Sequence, residues 1–468
     1  MSLDATALPP AGSRVLVVGL GKTGLSCARW LLARGYRVAV TDSRDAPPGL
    51  ETLRAELPDA AVMPGGLDPT AFAAADLIVL SPGVSLAEPP VAQALADGRP
   101  VIGDIELFAR AATAPVVGIT GSNGKSTVTT LLGLMADESG RRVAVGGNLG
   151  APALDLLDAG VELYVLELSS FQLETTHSLA LRAATVLNLS PDHLDRHGDL
   201  AGYAAAKRRI FTHAKTAVVN RDDPVAAALA DDVADQLGFT LEAPQRIGDY
   251  GVAVHDGRPW IVRAGHDGHA PLLPVDELRL CGRHNLANAL AALALGGLCG
   301  LDPAAMCRVL RRFRGLPHRG ELVAEANGVR WINDSKGTNP GATAAALDGL
   351  VPAPEPSPAP HSEQGRAVLI AGGDCKGADF GALAVVVARS ARAVVLIGRD
   401  APRLEAALAG TVPLLHARDM DDAVRLAAAQ ARPGDCVLLS PACASFDMFD
   451  DYQQRGRLFA AAVERWLT

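Results

Sequence analysis

The stretch Val116-Val117-Gly118-Ile119-Thr120-Gly121-Ser122-Asn123-Gly124-Lys125-Ser126-Thr127 leaves this chain few folds to choose from. An apolar, β-branched run stops at a glycine loop. The loop ends in Lys-Ser-Thr, and an apolar helical pattern follows at Val128, Leu131, Leu132, Leu134 and Met135. Strand, loop and helix in that order make a phosphate site. Glycines let backbone N–H groups turn toward an anion, and the helix N-terminus adds partial positive charge. Lys125 has the reach for terminal phosphates, and Ser126 has the hydroxyl for a magnesium ion. The loop departs from the strict G-x-x-x-x-G-K-[ST] pattern, because Ile119 stands where the first glycine belongs. It reads T-G-x-N-G-K-S.

The segments on either side repeat the same alternation. Arg14–Gly19 reads as a buried strand, followed by Gly19-Leu20-Gly21-Lys22-Thr23-Gly24, a helix to about Ala33, and a second strand, Arg37–Thr41, ending at Asp42. This is the G-x-G-x-x-G fingerprint with its acidic residue. It specifies a pyrophosphate at a helix N-terminus, which a UDP-linked substrate carries as well as a dinucleotide. Leu77–Leu80 leads into Ser81-Pro82-Gly83-Val84. Leu163–Leu168 is a strand whose apolar run Glu167 interrupts, and a carboxylate there is costly unless paired or bound to metal. In a phosphate-loop protein it is the place for a magnesium ligand. Ser190-Pro191-Asp192-His193-Leu194-Asp195-Arg196-His197 offers Asp192, His193 and Asp195 as metal ligands, although a solvated loop has the same composition.

A helix over 203–211 carries Lys207, and hairpin material fills roughly 240–280. Gly282 opens a long apolar helix on which Asn285 and Asn288 share a face; they suit either a base edge or N-terminal capping. Gly315-Leu316-Pro317-His318-Arg319 reads as a hinge. Beyond it, strands at 330–333, 368–371, 394–397, 412–415 and 436–439 alternate with helices. Pro352–Gly365 reads as a flexible insertion. The expected class is α/β with three domains, each a mostly parallel sheet flanked by helices: Rossmann-like over 1–103, a P-loop ATPase over 104–315, and Rossmann-like over 316–468.

Composition narrows the function. The 468 residues carry a net charge of −9, which gives no electrostatic footprint for nucleic acid. No apolar run reaches the length of a membrane span. The start, Met-Ser-Leu-Asp-Ala-Thr, has no basic and apolar regions of a secretory signal. Seven cysteines (27, 281, 299, 307, 375, 436, 443) include no C-x-x-C pair, which implies reduced thiols in a cytoplasm. Of the 43 basic residues only six are lysines, at 22, 125, 207, 215, 336 and 376. Lys207 precedes Arg208 and Arg209, so local charge does not account for it; lysine, unlike arginine, can lose its proton and act as an amine.

Together GLGKTGLS, GITGSNGKSTVT, LELSSFQLE, DHLDRH, GRHNLANALAAL, GLPHR, WINDSKGTN, GGDCKGADF and LLSPACASFDMF resemble the Mur ligases from about residue 14 to the C-terminus. Within that family the likeness is to the branch that adds D-glutamate to UDP-N-acetylmuramoyl-L-alanine in bacterial cell-wall synthesis. The resemblance implies that Asp42, Ser43 and Arg44 hold the uridine nucleotide. Ser81, Pro82, Gly83, Val84, Asn148 and Gln172 then hold the pyrophosphate and muramoyl parts. Gly121, Ser122, Asn123, Gly124, Lys125, Ser126 and Thr127 hold ATP, helped across a domain gap by Asn285, Asn288, Arg319, Asp334 and Lys336. Ser126 and Glu167 ligate one magnesium ion, and His193 and a carbamylated Lys207 a second, so Lys125, Glu167, His193 and Lys207 form the catalytic set.

Thr338, Lys376, Ser445, Phe446 and Tyr452 match the D-glutamate site, with a helix N-terminus expected beyond Ser445. Gly320, Gly337 and Cys375 stand where the family pattern has other residues. The expected partners are ATP, D-glutamate and the UDP-sugar, with no nucleic acid and no membrane insertion, for a cytoplasmic monomer whose third domain closes on the second about 315–319. A nicotinamide oxidoreductase would rest on residues 19–42 alone, and a non-enzymatic ATP switch on 116–127 alone. A sister ligase adding another amino acid is the nearer alternative. The D-N-P-[RA] motif of the sister that adds a diamino acid is absent, since Asp-Ala-Pro-Pro at 45–48 lies in the wrong segment.

Overall fold

The computed structural model describes residues 8–280, 282–350 and 365–467. The expectations for the first six residues, for Cys281 and for the insertion at 352–365 (save Gly365) fall outside them. Three sheets organise the chain. The first holds β1 (Arg14–Val18), β2 (Arg37–Asp42), β3 (Ala61–Pro64), β4 (Leu77–Leu80) and β5 (Val101–Gly103). All its pairs are parallel, in the order β3-β2-β1-β4-β5. Because β1 sits between β2 and β4, the loops at Gly19, Asp42 and Ser81 emerge side by side.

The central sheet has nine strands: β6 (Val116–Thr120), β7 (Val143–Gly147), β8 (Leu163–Glu167), β9 (Ala183–Val186), β10 (Ala217–Asn220), β11 (Gln236–Phe239), β12 (Tyr250–His255), β13 (Arg258–Gly265) and β14 (Gly268–Pro274). Their order is β14-β13-β12-β11-β10-β9-β6-β8-β7. The pairs from β7 through β12 are parallel, and β13 and β14 add an antiparallel edge. Ile119 lies opposite Glu167, so the carboxylate at the end of β8 sits beside the start of the glycine loop. The third sheet holds β15 (Glu321–Ala326), β16 (Val329–Asn333), β17 (Ala367–Gly372), β18 (Ala391–Ile397), β19 (Leu414–His416) and β20 (Cys436–Leu439). Its order is β15-β16-β20-β17-β18-β19, with β15–β16 its antiparallel pair. The class is therefore α/β with three mostly parallel sheets, as the alternation of elements predicts.

Packing ties the first two sheets together. The short helix Asp104–Ala109 buries Phe108 edge-on against Tyr164, ring centroids 5.1 Å apart. One apolar cluster runs from Val17 through Leu107 to Leu166. On the other face of the central sheet, the helix Lys125–Glu138 packs on Arg283–Leu298, which is buried from Ala289 to Gly296. That second helix is apolar almost all round because it lies inside the domain. The third sheet carries a separate core on each face. The connection into it turns at three left-handed positions, Gly315, His318 and Gly320.

Candidate functional site

β6 is buried throughout and ends at Thr120; Gly121 (φ 151°) and Gly124 (φ 84°) then bend the chain into the helix that starts at Lys125. Left-handed backbone at Gly124 suits glycine alone, and a Cβ there would also meet Asn288 Oδ1 at 2.3 Å. The loop is fixed from below. Ser122 Oγ donates to Ser190 O (2.9 Å) and accepts from Ser190 N (2.9 Å), while Asn188 Oδ1 accepts from Asn123 N at 2.8 Å. Lys125 folds back so that Nζ donates to Gly121 O and Ser122 O, at 2.8 and 2.9 Å.

Ser126 Oγ donates to Glu167 Oε2 at 2.5 Å, and Asn148 Nδ2 donates to the other carboxylate oxygen at 2.6 Å. Arg319, from beyond the turn into the third sheet, donates from Nη2 to Ser126 Oγ at 2.7 Å. Asn339 Nδ2 lies 3.2 Å from Asp192 Oδ2. Central and third domains thus meet at the loop itself.

Lys207 lies beneath the loop. It is 1% exposed, and its Nζ donates to Gly121 O (2.9 Å) and Thr120 Oγ1 (3.2 Å) with the Tyr203 ring 4.5 Å away. Burial, then the nearby Lys125 charge, pushes its pKa well below the ordinary lysine value. Lys336 moves the same way, to about 8, through burial and then Arg319. Lys125 is lowered chiefly by burial. Cations crowded this closely repel one another, and they mark a place made for a polyanion. His193 holds a left-handed backbone (φ 53°), its ring 4.9 Å from Phe171. Burial favours its neutral form, the one able to ligate a metal.

Two cavities flank the loop and share Asn123, Gly124, Arg319 and Lys336. One, of about 330 Å³, is closed by Asn285, Asn288, Thr127 and Asp334. Asn288 Nδ2 donates to Asn285 Oδ1 at 3.2 Å, so both amides face it together. Asp334 is half-buried with Ser440 Oγ donating to it at 2.7 Å, and desolvation of its carboxylate raises its pKa to about 7. The other cavity, about 340 Å³, gathers Ser126, Asn148, Glu167, His193 and Lys207 on one wall and Thr338, Lys376 and Tyr452 on the other. Lys336 Nζ sits 4.1 Å over the Tyr452 ring. Lys376 Nζ is 5.9 Å from the ring of Phe446, which is exposed.

The remaining sequence-identified residues lie elsewhere. Asp42 takes Leu20 N–H on Oδ2 at 2.7 Å and is gripped by Arg44, which lowers its pKa to about 2. Ser43 beside it is exposed. Ser81 Oγ donates to Gly19 O at 2.9 Å, and Pro82, Gly83 and Val84 extend that loop toward the centre. Val84 O accepts from Arg196 Nη2 at 3.1 Å, linking it to the loop that carries His193. Gln172 is buried away from both cavities. Its Nε2 donates to Asp104 Oδ2 (3.0 Å) and its Oε1 accepts from Ser169 N, completing a capping box. Ser445 is buried beside the second cavity, which its neighbour Ala444 lines. The helix expected just beyond Ser445 begins only at Tyr452, after a run of turns.

Sequence reasoning passed over Asn188, Tyr203 and Asn339. Tyr203 lies four residues before Lys207 on one helix, a spacing that was available to find it.

Comparison with known proteins agrees over the whole chain. Family models described as Mur ligase MurD-like N-terminal domain, Mur ligase middle domain and Mur ligase glutamate ligase domain match residues 13–103, 119–296 and 318–443. A UDP-N-acetylmuramoylalanine--D-glutamate ligase of Nitrosococcus oceani is 54% identical over 467 residues, 100% of both chains. One of Pseudomonas aeruginosa is 51% identical over 96% of this chain and 97% of its own. Among solved structures, MurF ligase from Thermotoga maritima in complex with ADP superposes with a TM-score of 0.61 at 18% identity, covering 98% of this chain and 96% of that one. A pseudomurein peptide ligase type C from Methanothermus fervidus gives 0.60 at 18%, over 97% and 100%. These two speak for the fold.

Proposed function

The chain belongs to the Mur ligase family, and from that membership we propose that it adds D-glutamate to UDP-N-acetylmuramoyl-L-alanine at the cost of ATP, in peptidoglycan synthesis. The observation that carries the chemistry is the pair of cavities meeting at Gly124, Arg319 and Lys336, with Lys125 lining the second. A carboxylate is a poor electrophile. ATP in the first cavity would present its γ-phosphate to the alanyl carboxylate in the second, giving an acyl phosphate and ADP. The amine of D-glutamate then attacks the acyl carbon, and phosphate leaves. Charge on the transferring oxygens is the main obstacle, and Lys125 and Arg319 would offset it. Asn285 and Asn288 suit the base, and Lys376 suits a glutamate carboxylate. Asp42, Arg44 and the Ser81–Val84 loop suit the UDP end.

The donors at the loop fit magnesium, which takes oxygen ligands and retains waters. The Ser126 hydroxyl and Glu167 carboxylate would hold one ion. His193 and Lys207 would hold a second only if Lys207 is carbamylated, since an ammonium repels a cation. Burial supports that reading, because only a neutral amine attacks carbon dioxide and Lys207 is pushed toward neutrality. Magnesium would supply charge neutralisation to the phosphoryl oxygens.

We place the domain boundaries at 103/104 and 315/316; β5 ends at Gly103 and the left-handed turn begins at Gly315. The test is phosphate release from ATP with UDP-N-acetylmuramoyl-L-alanine, offering D-glutamate, L-glutamate, L-alanine and a diamino acid separately. Release confined to D-glutamate, with a product heavier by one glutamate, is expected. Release with another acceptor would overturn the specificity and keep the mechanism.

A further inference from the structure

Cys375 follows β17 and Cys443 follows β20, on the two loops that border the second cavity. Between these loops Asp374 and Ala444 exchange both main-chain hydrogen bonds, 2.9 Å in each direction. They form a hydrogen-bonded antiparallel pair. The next opposed pair, Cys375 with Cys443, therefore occupies a non-hydrogen-bonded position, where Cα atoms approach to about 4.5 Å. A disulfide spans Cα separations of about 4.4–6.8 Å. The two Sγ atoms lie 2.8 Å apart, both side chains are buried, and both thiols are free. Lys376 follows the first cysteine with a left-handed backbone (φ 46°), and Ala444 and Ser445 follow the second.

We propose that Cys375 and Cys443 are an oxidation site for hydroperoxides, closing reversibly to a disulfide that distorts the acceptor subsite between Lys376 and Ser445. The second half of this rests on the assignment of that subsite to D-glutamate. Cys375 is followed by the exposed Lys376 and Gly377, whereas Cys443 lies between buried Ala442 and Ala444, so the Cys375 sulfur is the one nearer solvent along the chain. The Cys443 thiol is pushed far up, by its contact with Cys375 and then by burial, and is not the sulfur that starts the reaction.

In the first step the Cys375 sulfur attacks one peroxide oxygen. The O–O bond breaks, the thiol becomes a sulfenic acid, and the other oxygen leaves as water or an alcohol. In the second step the Cys443 sulfur attacks the sulfenic sulfur, the S–O bond breaks, and the thiol proton departs with the hydroxyl as water. The peroxide is the two-electron oxidant, and a dithiol reverses the product by exchange. Closing the bond moves the sulfurs from 2.8 Å to about 2.05 Å. Lys376, already in a sparsely allowed conformation, has little backbone freedom to absorb the shift.

The experiment treats the intact reduced protein with hydrogen peroxide, maps its peptides by mass, and measures kinetics before and after. A peptide joining Cys375 to Cys443 is expected. So is a rise of about tenfold in KM for D-glutamate, with KM for ATP changed less, and return on dithiothreitol; misplacement of a binding group by under an ångström carries effects of that order. Cys375→Ala and Cys443→Ala should each abolish the cross-link and the kinetic response. A missing cross-link in wild-type protein overturns the proposal even where a variant misfolds, and so does a cross-link with unchanged KM. Failure of the functional reading looks different: the cross-link forms, yet neither redox state consumes D-glutamate.

Discussion

Gly19–Gly24 and Gly121–Gly124 both follow a buried parallel strand, and each opens a helix whose first residue is a lysine, Lys22 in one and Lys125 in the other. Their surroundings separate them. Lys22 is exposed, whereas Lys125 is turned in on the carbonyls of its own loop. Before the helix the second loop has two residues between Gly121 and Gly124 where the first has one between Gly19 and Gly21, and it enters its helix through a left-handed Gly124, where Gly21 has φ −94°. The first loop is tightened instead by neighbours: Ser81 caps Gly19 O, and Asp42 takes Leu20 N–H. The same local unit is thus closed in two ways. One loop is drawn shut by neighbouring side chains, and the other wraps a cation onto its own carbonyls.

The largest effect should come from exchanging the two lysines for an uncharged chain of similar length. Lys125→Met is expected to lower kcat by about 10²–10³, the range for losing one transition-state charge partner. Lys22→Met should change kcat and both nucleotide KM values by less than about twofold, because exposed charges contribute little. Initial rates on the two variants check this. Comparable losses would mean that the loops share one role.

Next in size is a steric test of the same pair of loops. A Cβ on Gly24 would lie 1.9 Å from Gly19 O, a backbone atom that cannot step aside, whereas a Cβ on Gly21 meets nothing within 4 Å. Gly24→Ala should destabilise the first domain by about 3 kcal/mol in urea unfolding. Gly21→Ala should cost no more than about 1 kcal/mol, the loss of a glycine N-cap. Equal costs would show that the loop is not held closed by that approach.

Much of this contrast was legible in the sequence. The strand–loop–helix order is written in local periodicity, so β1, β2, β4, β6, β8 and β20 lie where the apolar runs stop. Scarcity of lysine singled out Lys207, and the structure puts it beneath the phosphate loop. Other features were illegible for physical reasons. β15 has only the short apolar run Leu322-Val323-Ala324 between glutamates and buries none of it fully, so it is an edge strand that exists through its antiparallel pairing with β16. Asn339 and Asn188 act through contacts 147 and 65 residues away in the chain. The Cys375–Cys443 contact depends on two loops meeting across the third sheet, which no spacing rule conveys. Gln172 illustrates the reverse. Its place three residues after Ser169 is a capping-box signature, and the structure uses it so, with its amide on Asp104 and not in the cleft.

The smallest effect sharpens the comparison at the acidic residues that end strands in the first and third domains. Asp42 ends β2 and is held near a pKa of 2, first by Arg44; Asp334 follows β16 and is raised to about 7 by burial. Linkage gives them opposite signs. Asp42 binds its proton less tightly when folded, so its stabilisation is complete above the unfolded value near 3.8 and is lost as pH falls toward 2. It adds almost no slope above about pH 5. Asp334 binds its proton more tightly when folded, so unfolding releases a proton between the unfolded value near 3.8 and the folded value of about 7, and stability falls as pH rises through that window. The slope is at most about 1.4 kcal/mol per pH unit, and it vanishes above the folded value. Urea unfolding between pH 4.5 and 7.5 should show this decline in the ligand-free protein and a flatter profile in Asp334→Asn. A constant offset between the two curves would mean that Asp334 is ionised throughout. The third-domain site would then resemble the first, with its carboxylate held charged by Arg319 as Asp42 is by Arg44.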